Sequence, residues 1–207
     1  KGAPIKISEP VVSFCEGVTE ETPMDIISKS PNKHNRIYLR AQPLSEELVK
    51  AIDNKDVTPE QENKTRGRYM ADNFGWDVTE ARKIWTFGCP PDAIANVLVD
   101  TTKAVQYLAE IKDSMVGAFI QASACGIICE ESMRGCRFNI MDVTMHADAI
   151  HRGAGQIMPP TKRAMYACQL NAEPSVMEPM FLCDITVPQN ALNGVYTTLS
   201  ARRGIVE

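Results

Sequence analysis

The order of apolar and polar residues along the chain predicts a mixture of strands and helices. Short apolar runs bounded by turn residues predict strands, and apolar residues three and four positions apart predict helices. We expect strands over residues 10–14, 24–28, 37–40, 96–100 and 137–145. We expect helices that begin at 45 and after 58–61, and further helices over 78–85, 103–124 and 159–170. This order of elements predicts an α+β fold.

Several of the expected helix ends carry capping signals. Ser45 precedes two glutamates, whose charge favours the first turn of a helix. Residues 58–61 (TPEQ) form a capping-box pattern with a proline at the expected first helical position, and Gly75 is expected to end that helix. Pro159 and Pro160 are expected to open the last long helix of this part of the chain.

The last thirty residues predict the beginning of a second unit. Residues 177–187 are expected to form a strand, 188–200 a helix, and 205–206 the start of another strand. A strand–helix–strand unit of this size cannot cover both faces of its sheet. We therefore expect the chain to be a fragment of a longer multidomain protein.

Composition excludes several classes of protein. The chain has 207 residues, of which 44% are hydrophobic and 23% charged, and its formal net charge is −4. These values exclude a disordered tail, a collagen-like repeat and a globally basic nucleic-acid-binding protein. Apolar runs of the roughly 18 residues that a membrane span needs are missing, and no signal-peptide pattern opens the sequence. We therefore expect a soluble protein without membrane contact.

The cysteines favour an intracellular location. Seven cysteines, an odd number at irregular spacing, form a poor disulfide framework. We expect reduced and mostly buried thiols, as in the apolar run around Cys183. The seven are Cys15, Cys89, Cys125, Cys129, Cys136, Cys168 and Cys183.

Positive charge is concentrated in two windows that contain no acidic residue, 26–45 and 149–172. Their cations are Lys29, Lys33, Arg36 and Arg40 in the first window and Arg152, Lys162 and Arg163 in the second. The windows carry +4 and +3, so the remainder of the chain carries −11 (−4 minus 7). A local basic surface on an acidic body suits a targeted contact with a polyanion. The alternative is that these charges are merely solvated.

Each window contains a loop that is expected at the surface. Loop A, residues 30–36, combines turn residues with cations for phosphates and with amide and imidazole groups for RNA edges or 2′-hydroxyl groups. Loop B, residues 148–156, places a histidine beside an arginine at a loop tip, and its glycines permit unusual backbone angles and close approach of a partner. The candidate RNA-contacting residues are Ser30, Pro31, Asn32, Lys33, His34, Asn35 and Arg36 in loop A and Asp148, Ile150, His151, Arg152, Gly153, Ala154, Gly155 and Gln156 in loop B.

The sequence favours binding over catalysis. It contains no phosphate loop ending in Gly-Lys, no Gly-x-Ser-x-Gly elbow and no cysteine-protease signature. Cys125 and Cys129, followed by His146 and His151, loosely resemble a zinc-finger ligand set. The linker of 16 residues is longer than the usual 12 to 15 or so, and Cys125 lies at the expected end of a helix. Buried thiols are the better interpretation, and we expect neither a catalytic nor a metal site in this chain.

Six segments resemble the eukaryotic elongation factor 2 family of translation factors. The string HADAIHRG at 146–153 is very specific, and the resemblance extends over nearly the whole chain. The segments are SKSPNKHNR (28–36), WDVTEARKIW (76–85), CEESMRG (129–135), TMHADAIHRG (144–153), MEPM (177–180) and ARRG (201–204).

The resemblance implies a fold and a domain organisation. Residues 1–10 would be the tail of the third domain, 11–176 the RNA-contacting fourth domain, and 177–207 the truncated beginning of the fifth. The fourth domain of this family has a two-layer α+β fold of the ribosomal protein S5 domain 2-like type. The fifth would begin as the β-α-β start of a ferredoxin-like domain.

The resemblance also implies a function. Members of the family promote GTP-dependent translocation of peptidyl-tRNA and mRNA from the A to the P site, with the tip of the fourth domain in the decoding centre of the small subunit. GTP and Mg²⁺ bind in an upstream domain, so this chain by itself is not expected to be an enzyme. The tip histidine of the family corresponds to His151; it is converted to diphthamide and is the target of ADP-ribosylation by diphtheria toxin. The implied partners are small-subunit rRNA, mRNA, tRNA, the diphthamide-synthesis enzymes and ADP-ribosylating toxins, and the implied location is the cytoplasm.

Two points stay open at the level of the sequence. The alternative function is that of a paralogous GTPase of spliceosome or ribosome assembly, in which this domain is an RNA and protein scaffold. The family usually has three glycines after the His-Arg pair, whereas the middle one here is Ala154. If that position needs a positive φ, alanine costs about 1 kcal/mol or more; if it does not, the change has little effect.

Overall fold

The computed structural model describes residues 2, 5–7, 11–88 and 94–206, and these form a mixed fold of strands and helices. The strands are β1 (Cys15–Val18), β2 (Ile26–Lys29), β3 (Arg36–Pro43), β4 (Ile84–Phe87), β5 (Val97–Asp100), β6 (Cys136–Thr144) and β7 (Pro174–Met177). The helices are α1 (Glu46–Asp53), α2 (Asn63–Phe74), α3 (Val78–Arg82), α4 (Leu108–Ala124), α5 (Ala154–Asn171) and α6 (Leu192–Ala201), with short 3₁₀ turns at Ala149–His151 and Gln189–Ala191. The α+β fold predicted from the sequence is confirmed.

A five-stranded sheet with the order β2-β3-β6-β5-β4 organises the domain. Neighbouring strands are antiparallel, except that β5 and β6 run parallel. Strands β1 and β7 form a separate antiparallel pair. Arg36, at the start of β3, lies opposite Thr144, at the end of β6. This register places loop A, between β2 and β3, beside the segment that leads from β6 into loop B.

The two faces of the sheet bury two hydrophobic cores. Side chains alternate along β5, so Leu98 enters the first core while Val97 and Val99 enter the second. Helices α4 and α5 pack on the first core against β3 and β6. Helices α1, α2 and α3 contribute to the second core together with β4. Loops A and B both adjoin the first core, because α5 begins within loop B, at Ala154, and packs on β2 and β3, the strands that flank loop A.

Two of the predicted helix ends are confirmed. The Ser45 side chain accepts a hydrogen bond from the N–H of Leu48 and caps α1. Gly75 ends α2 in the left-handed conformation with a φ of 68°, as a helix C-cap glycine does.

Three predicted helix starts are wrong. Helix α2 begins at Asn63, because the 58–61 segment closes a turn of its own before it. Helix α4 begins at Leu108 rather than 103, because two residues before it have left-handed backbones, with φ values of 56° and 64°. Helix α5 begins at Ala154, five residues before the first of its two prolines, because the Gly153 carbonyl accepts the N–H groups of the residues three and four positions later.

One strand prediction and one further helix prediction also need correction. The strand expected over 10–14 is absent from residues 11–14, and residue 10 lies outside the described residues. Strand β1 starts only at Cys15, because its pairing with β7 begins there. The helix expected over 78–85 ends at Arg82, and β4 follows it at once. Ile84 and Phe87 are buried in the second core, and β4 pairs with β5. Tertiary contacts therefore make this segment a strand rather than the end of a helix.

The C-terminal segment contains the expected helix, α6, but not the expected strands. Only Met177 of the segment 177–187 belongs to a strand, as the last residue of β7, and residues 204–206 are also without strand structure. Phe181 and Leu182 are 90% and 94% exposed. Within the part of the chain that the structure describes, no strand pairs with this segment, and an unpaired segment cannot form a sheet ladder.

The cysteines differ from the expectation in part. Cys136 and Cys168 are buried, and burial raises the pKa of both thiols to about 12, so they stay protonated and unreactive. Cys183, expected in an apolar environment, is exposed, as is Cys129. Cys89 lies outside the described residues. Among the described helices, none has the length and apolar character needed to cross a bilayer.

Candidate nucleic-acid interface

Loops A and B meet at one end of the molecule although more than 110 residues separate them. The side-chain amides of Asn32 and Asn35 each donate a hydrogen bond of 2.8 Å to the backbone carbonyl of His151. The backbone N–H of Asn32 donates to the side-chain carbonyl of Gln156 at 2.9 Å. The two loops therefore form one structural unit, which we call the apex (residues 30–36 and 148–156).

Loop A is held in shape by its own buried polar groups. The Ser30 hydroxyl accepts the N–H of Asn35 at 2.9 Å and donates to the side-chain oxygen of Asn32 at 2.5 Å. Lys33 occupies the turn with a φ of 64° and donates its N–H to the carbonyl of Ser30. Ser30 and Asn35 are 3% and 0% exposed. Both side chains are therefore enclosed and used as scaffold in this structure, and their contact with RNA stays a prediction.

Loop B contains a short 3₁₀ turn over Ala149–His151. The Asp148 carboxylate caps this turn by accepting the N–H of Ile150 at 3.1 Å. Gly153 has a φ of −65°, and Ala154 is the first residue of α5. Neither position has a positive φ, so the conformation of loop B does not require glycine there, and Ala154 introduces no strain.

Arg152 is buried rather than presented to solvent. Its guanidinium donates to the Glu110 carboxylate of α4 at 2.6 and 3.1 Å and to the carbonyls of His146 and Ala147 at 2.9 and 2.8 Å. It also lies over the ring of Tyr107, 4.2 Å from the ring centre. The side chain is only 6% exposed. Arg152 therefore anchors loop B to α4, and its contact with RNA stays a prediction.

The three histidines of the chain converge at the apex. The ring centres of His34 and His151 are 4.7 Å apart, those of His146 and His151 4.4 Å, and those of His34 and His146 5.0 Å. The backbone N–H of Asp148 donates to Nδ1 of His146 at 3.0 Å. His151 is thus held by its carbonyl and flanked by two other rings, while it stays partly open to solvent.

The remaining predicted residues form the accessible surface of the apex. Ile150 is 79% exposed, although it is a large apolar residue. Three of the predicted residues are partly exposed: Asn32, His151 and Gln156. The fully exposed ones are Pro31, Lys33, His34, Arg36, Asp148, Ile150, Gly153, Ala154 and Gly155.

The positive surface is narrower than the sequence windows indicate. Arg40 pairs with the carboxylates of Glu21 and Asp25, at 3.3 and 2.5 Å. Together with the pairing of Arg152, this neutralises two of the seven cations of the windows. Glu110 and Tyr107 were not expected at the site, because nothing local in the sequence indicates that α4 contacts loop B.

The zinc hypothesis has no support in the geometry. Among residues 11–88 and 94–206, no three His, Cys, Asp or Glu side chains are placed to hold a metal ion. His146 and His151 lie at the apex, whereas Cys125 caps the far end of α4. The two halves of the loose zinc-finger pattern are therefore not brought together.

The chain matches a protein-family model over a region that includes loop B. Residues 55–173, more than half of the chain, match the family model described as elongation factor G, domain IV. The matched region contains β4 to β6, α4, loop B and α5, and it begins after loop A. Members of this family are elongation factors of the translational GTPase class that act on the ribosome. This chain belongs to the elongation factor G domain IV family.

Proposed function

We propose that this chain is the ribosome-contacting fourth domain of a translocation factor of the eukaryotic elongation factor 2 type. In this proposal the apex enters the decoding centre of the small subunit during GTP-dependent translocation. There it supports the mRNA–tRNA duplex as tRNA passes from the A to the P site. The observation that carries the proposal is the pair of hydrogen bonds from Asn32 and Asn35 to the His151 carbonyl, because they make a single apex of two distant loops.

The exposed groups of the apex suit an RNA duplex. The minor groove of A-form RNA is wide and shallow and displays 2′-hydroxyl groups and base edges. Lys33 supplies a cation for a phosphate, and His34 supplies a polar ring at the same surface. Ile150 supplies an exposed apolar contact of the kind that can pack against sugars or bases. The buried scaffold beneath these groups holds them in fixed positions.

We also propose that His151 is the residue converted to diphthamide. Its backbone carbonyl is anchored by two amides and its ring is partly exposed between His34 and His146. A long arm ending in a quaternary ammonium would extend from this fixed base and would add a permanent cation suited to an RNA groove. The diphthamide-synthesis enzymes and ADP-ribosylating toxins would then act on this residue in the cytoplasm.

The proposal assigns nucleotide chemistry to another part of the protein. GTP and Mg²⁺ would bind in an upstream domain. The GTP-dependent movement of the protein would bring the apex into contact with RNA. The three histidines have no role as catalytic or metal groups in this account.

The test combines mass spectrometry with a reading-frame assay. A peptide containing His151 from the native protein should carry the mass of diphthamide, and His151→Ala should raise the frequency of frameshifting in cells. The matched control is Arg68→Ala in α2, an exposed cation paired with Asp72 far from the two loops in the sequence, which should leave the reading frame unchanged. An unmodified His151 together with normal reading-frame maintenance in His151→Ala would contradict the proposal.

A further inference from the structure

Three exposed cations lie together where the stem of the β2–β3 hairpin meets α5, and one of them, Arg36, also belongs to the apex. Lys29 at the end of β2 is directly opposite Arg36 at the start of β3. The guanidinium of Arg163, from α5, donates a hydrogen bond of 2.5 Å to the backbone carbonyl of Lys29. All three side chains are exposed. We call these residues the stem patch.

In the described part of the chain, the stem patch lacks the carboxylate partners that six other arginines have. Within residues 11–88 and 94–206, no carboxylate lies within ion-pairing distance of its three members. Other arginines of the chain do hold a carboxylate: Arg40, Arg68, Arg134, Arg137, Arg152 and Arg203. Like charges directly opposite each other on two strands are unfavourable. The sheet therefore keeps a repulsive pair, Lys29 and Arg36, at a position where an external anion would relieve it.

The surroundings of the stem patch favour a nucleic acid. Ile27 and Tyr38 are opposite each other one step further along the same face of the hairpin, and both are partly accessible. An aromatic ring beside cations is the combination that takes a base or sugar next to its phosphate. The positive surface ends beyond them, because Asp142 lies opposite Tyr38 and the next cation, Arg40, is paired with acids.

We propose that the stem patch binds the sugar–phosphate backbone of RNA and extends the RNA contact of the apex, with which it shares Arg36, to Lys29 and Arg163. This inference rests on the proposed function for its partner, and it adds Lys29 and Arg163 to the RNA-contacting residues. The apex would meet one segment of RNA, and the stem patch would hold the phosphates of a segment that runs alongside the hairpin. An acidic protein segment is the competing ligand for the same charges.

The experiment measures how the affinity for RNA depends on salt concentration. The protein is titrated with a fluorescent A-form RNA duplex between 50 and 200 mM salt, and the triple variant Lys29→Ala/Arg36→Ala/Arg163→Ala is compared with wild type. Each phosphate contact contributes about 0.7 to 0.9 to the slope of log affinity against log salt concentration. The expected result is a slope that is smaller by about 2 to 3, with weaker binding to duplexes of every sequence.

Two control variants make the outcome specific. Lys50→Ala/Lys64→Ala/Arg68→Ala removes the same net charge from exposed positions of α1 and α2. Its slope should differ from that of wild type by no more than about 0.9, the contribution of one phosphate contact. His34→Ala/Ile150→Ala alters the apex without removing a cation, and it should also keep the slope. Circular dichroism at the assay temperature verifies that each variant is folded.

Three results would overturn the inference. The first is a stem-patch variant with the slope of wild type, and the second is an equal loss of slope in the α1–α2 control. The third is a stem-patch variant that binds RNA as wild type does but binds a polyglutamate peptide less tightly than wild type. This result would assign the patch to a protein partner. Failure of the proposed function would differ: the stem-patch variant would still lose slope on RNA, while His151 would prove unmodified and dispensable for reading-frame maintenance.

Discussion

The side-chain amide of Asn35 bridges two backbone groups of the segment that contains His151. Its nitrogen donates to the carbonyl of His151 at 2.8 Å, and its oxygen accepts the N–H of His146 at 3.2 Å. Asn35 is 0% exposed. A buried amide satisfied at both ends has one orientation only, so it fixes the position of loop B relative to loop A.

Asn35→Ala should lower the free energy of unfolding by about 2 kcal/mol, because it leaves the His146 N–H without its partner and removes one of two donors to the His151 carbonyl. Urea denaturation followed by circular dichroism measures the difference. The matched control is His34→Ala at the exposed tip of the same loop, for which a change within about 0.5 kcal/mol is expected. Equal stabilities of Asn35→Ala and His34→Ala would show that the amide does not hold the loops together.

Arg152→Ala should destabilise the protein by about 2 kcal/mol or more, because it leaves two carbonyls and a carboxylate without a buried guanidinium. A double-mutant cycle with Glu110→Gln should give a coupling energy of about 1 kcal/mol or more. The salt dependence of RNA binding should be that of wild type. A smaller salt slope with unchanged stability would instead make Arg152 a phosphate contact, as the sequence alone indicates.

Glu16 should make the stability depend on pH. Its carboxylate, in β1, accepts the N–H groups of Ile128, Cys129 and Glu131 and a hydrogen bond from the Gln169 side chain. Burial raises the pKa of Glu16, but these hydrogen bonds together lower it below the ordinary value of 4.5. Because the folded pKa is depressed, the stabilisation is fully present above about pH 4.5 and is lost as the pH falls through the folded pKa.

Glu16→Gln should therefore lower the free energy of unfolding by about 2 to 3 kcal/mol at pH 7, since an amide offers one acceptor oxygen in place of two charged ones. The difference from wild type should shrink when urea denaturation is repeated below about pH 4.5. Glu20→Gln, at an exposed position nearby in sequence, serves as the control at each pH. A difference between Glu16→Gln and wild type that is the same at pH 3.5 and pH 7 would contradict the assignment.

Ala154→Gly should not stabilise the protein, although the resemblance described above implies a glycine at this position. Ala154 lies in the first turn of α5 without a positive φ, where glycine is entropically unfavourable. A loss of up to about 1 kcal/mol in thermal or urea denaturation is expected. A gain in stability would mean that alanine is strained at this position.

Local sequence signals identified the helix caps at Ser45 and Gly75, strand β6 and both loops, because hydrophobic periodicity and turn residues are local properties. Strand β4 was missed because it follows α3 with a single residue between them and no Gly or Pro. Only its pairing with β5 and its burial in the second core make it a strand. The start of α5 was missed because a proline pair indicates a helix start more strongly than the glycine-rich residues before it.

The candidate site was predictable in position but not in the roles of its residues. Cations and turn residues indicated the two surface loops that converge in the structure. Burial separates the predicted residues into an exposed group and a buried group, however. Ser30, Asn35 and Arg152 are buried and act as scaffold, and the hydrogen-bond partners of Asn35 and Arg152 include residues from distant parts of the chain. Lys29 and Arg163 gain significance only from the register of β2 with β3 and from the packing of α5. No local pattern encodes these relationships.

The most direct test of the account is site-specific photo-crosslinking to ribosomes from the two loops of the apex. A photoreactive benzoylphenylalanine would replace Lys33 in loop A or Ala149 in loop B, both exposed, with Lys64 in α2 as the control position. The account predicts that both apex positions crosslink to one shared site, made of small-subunit rRNA with the bound mRNA and tRNA, and that position 64 does not. Crosslinks from positions 33 and 149 to separate sites, or to no RNA at all, would contradict it.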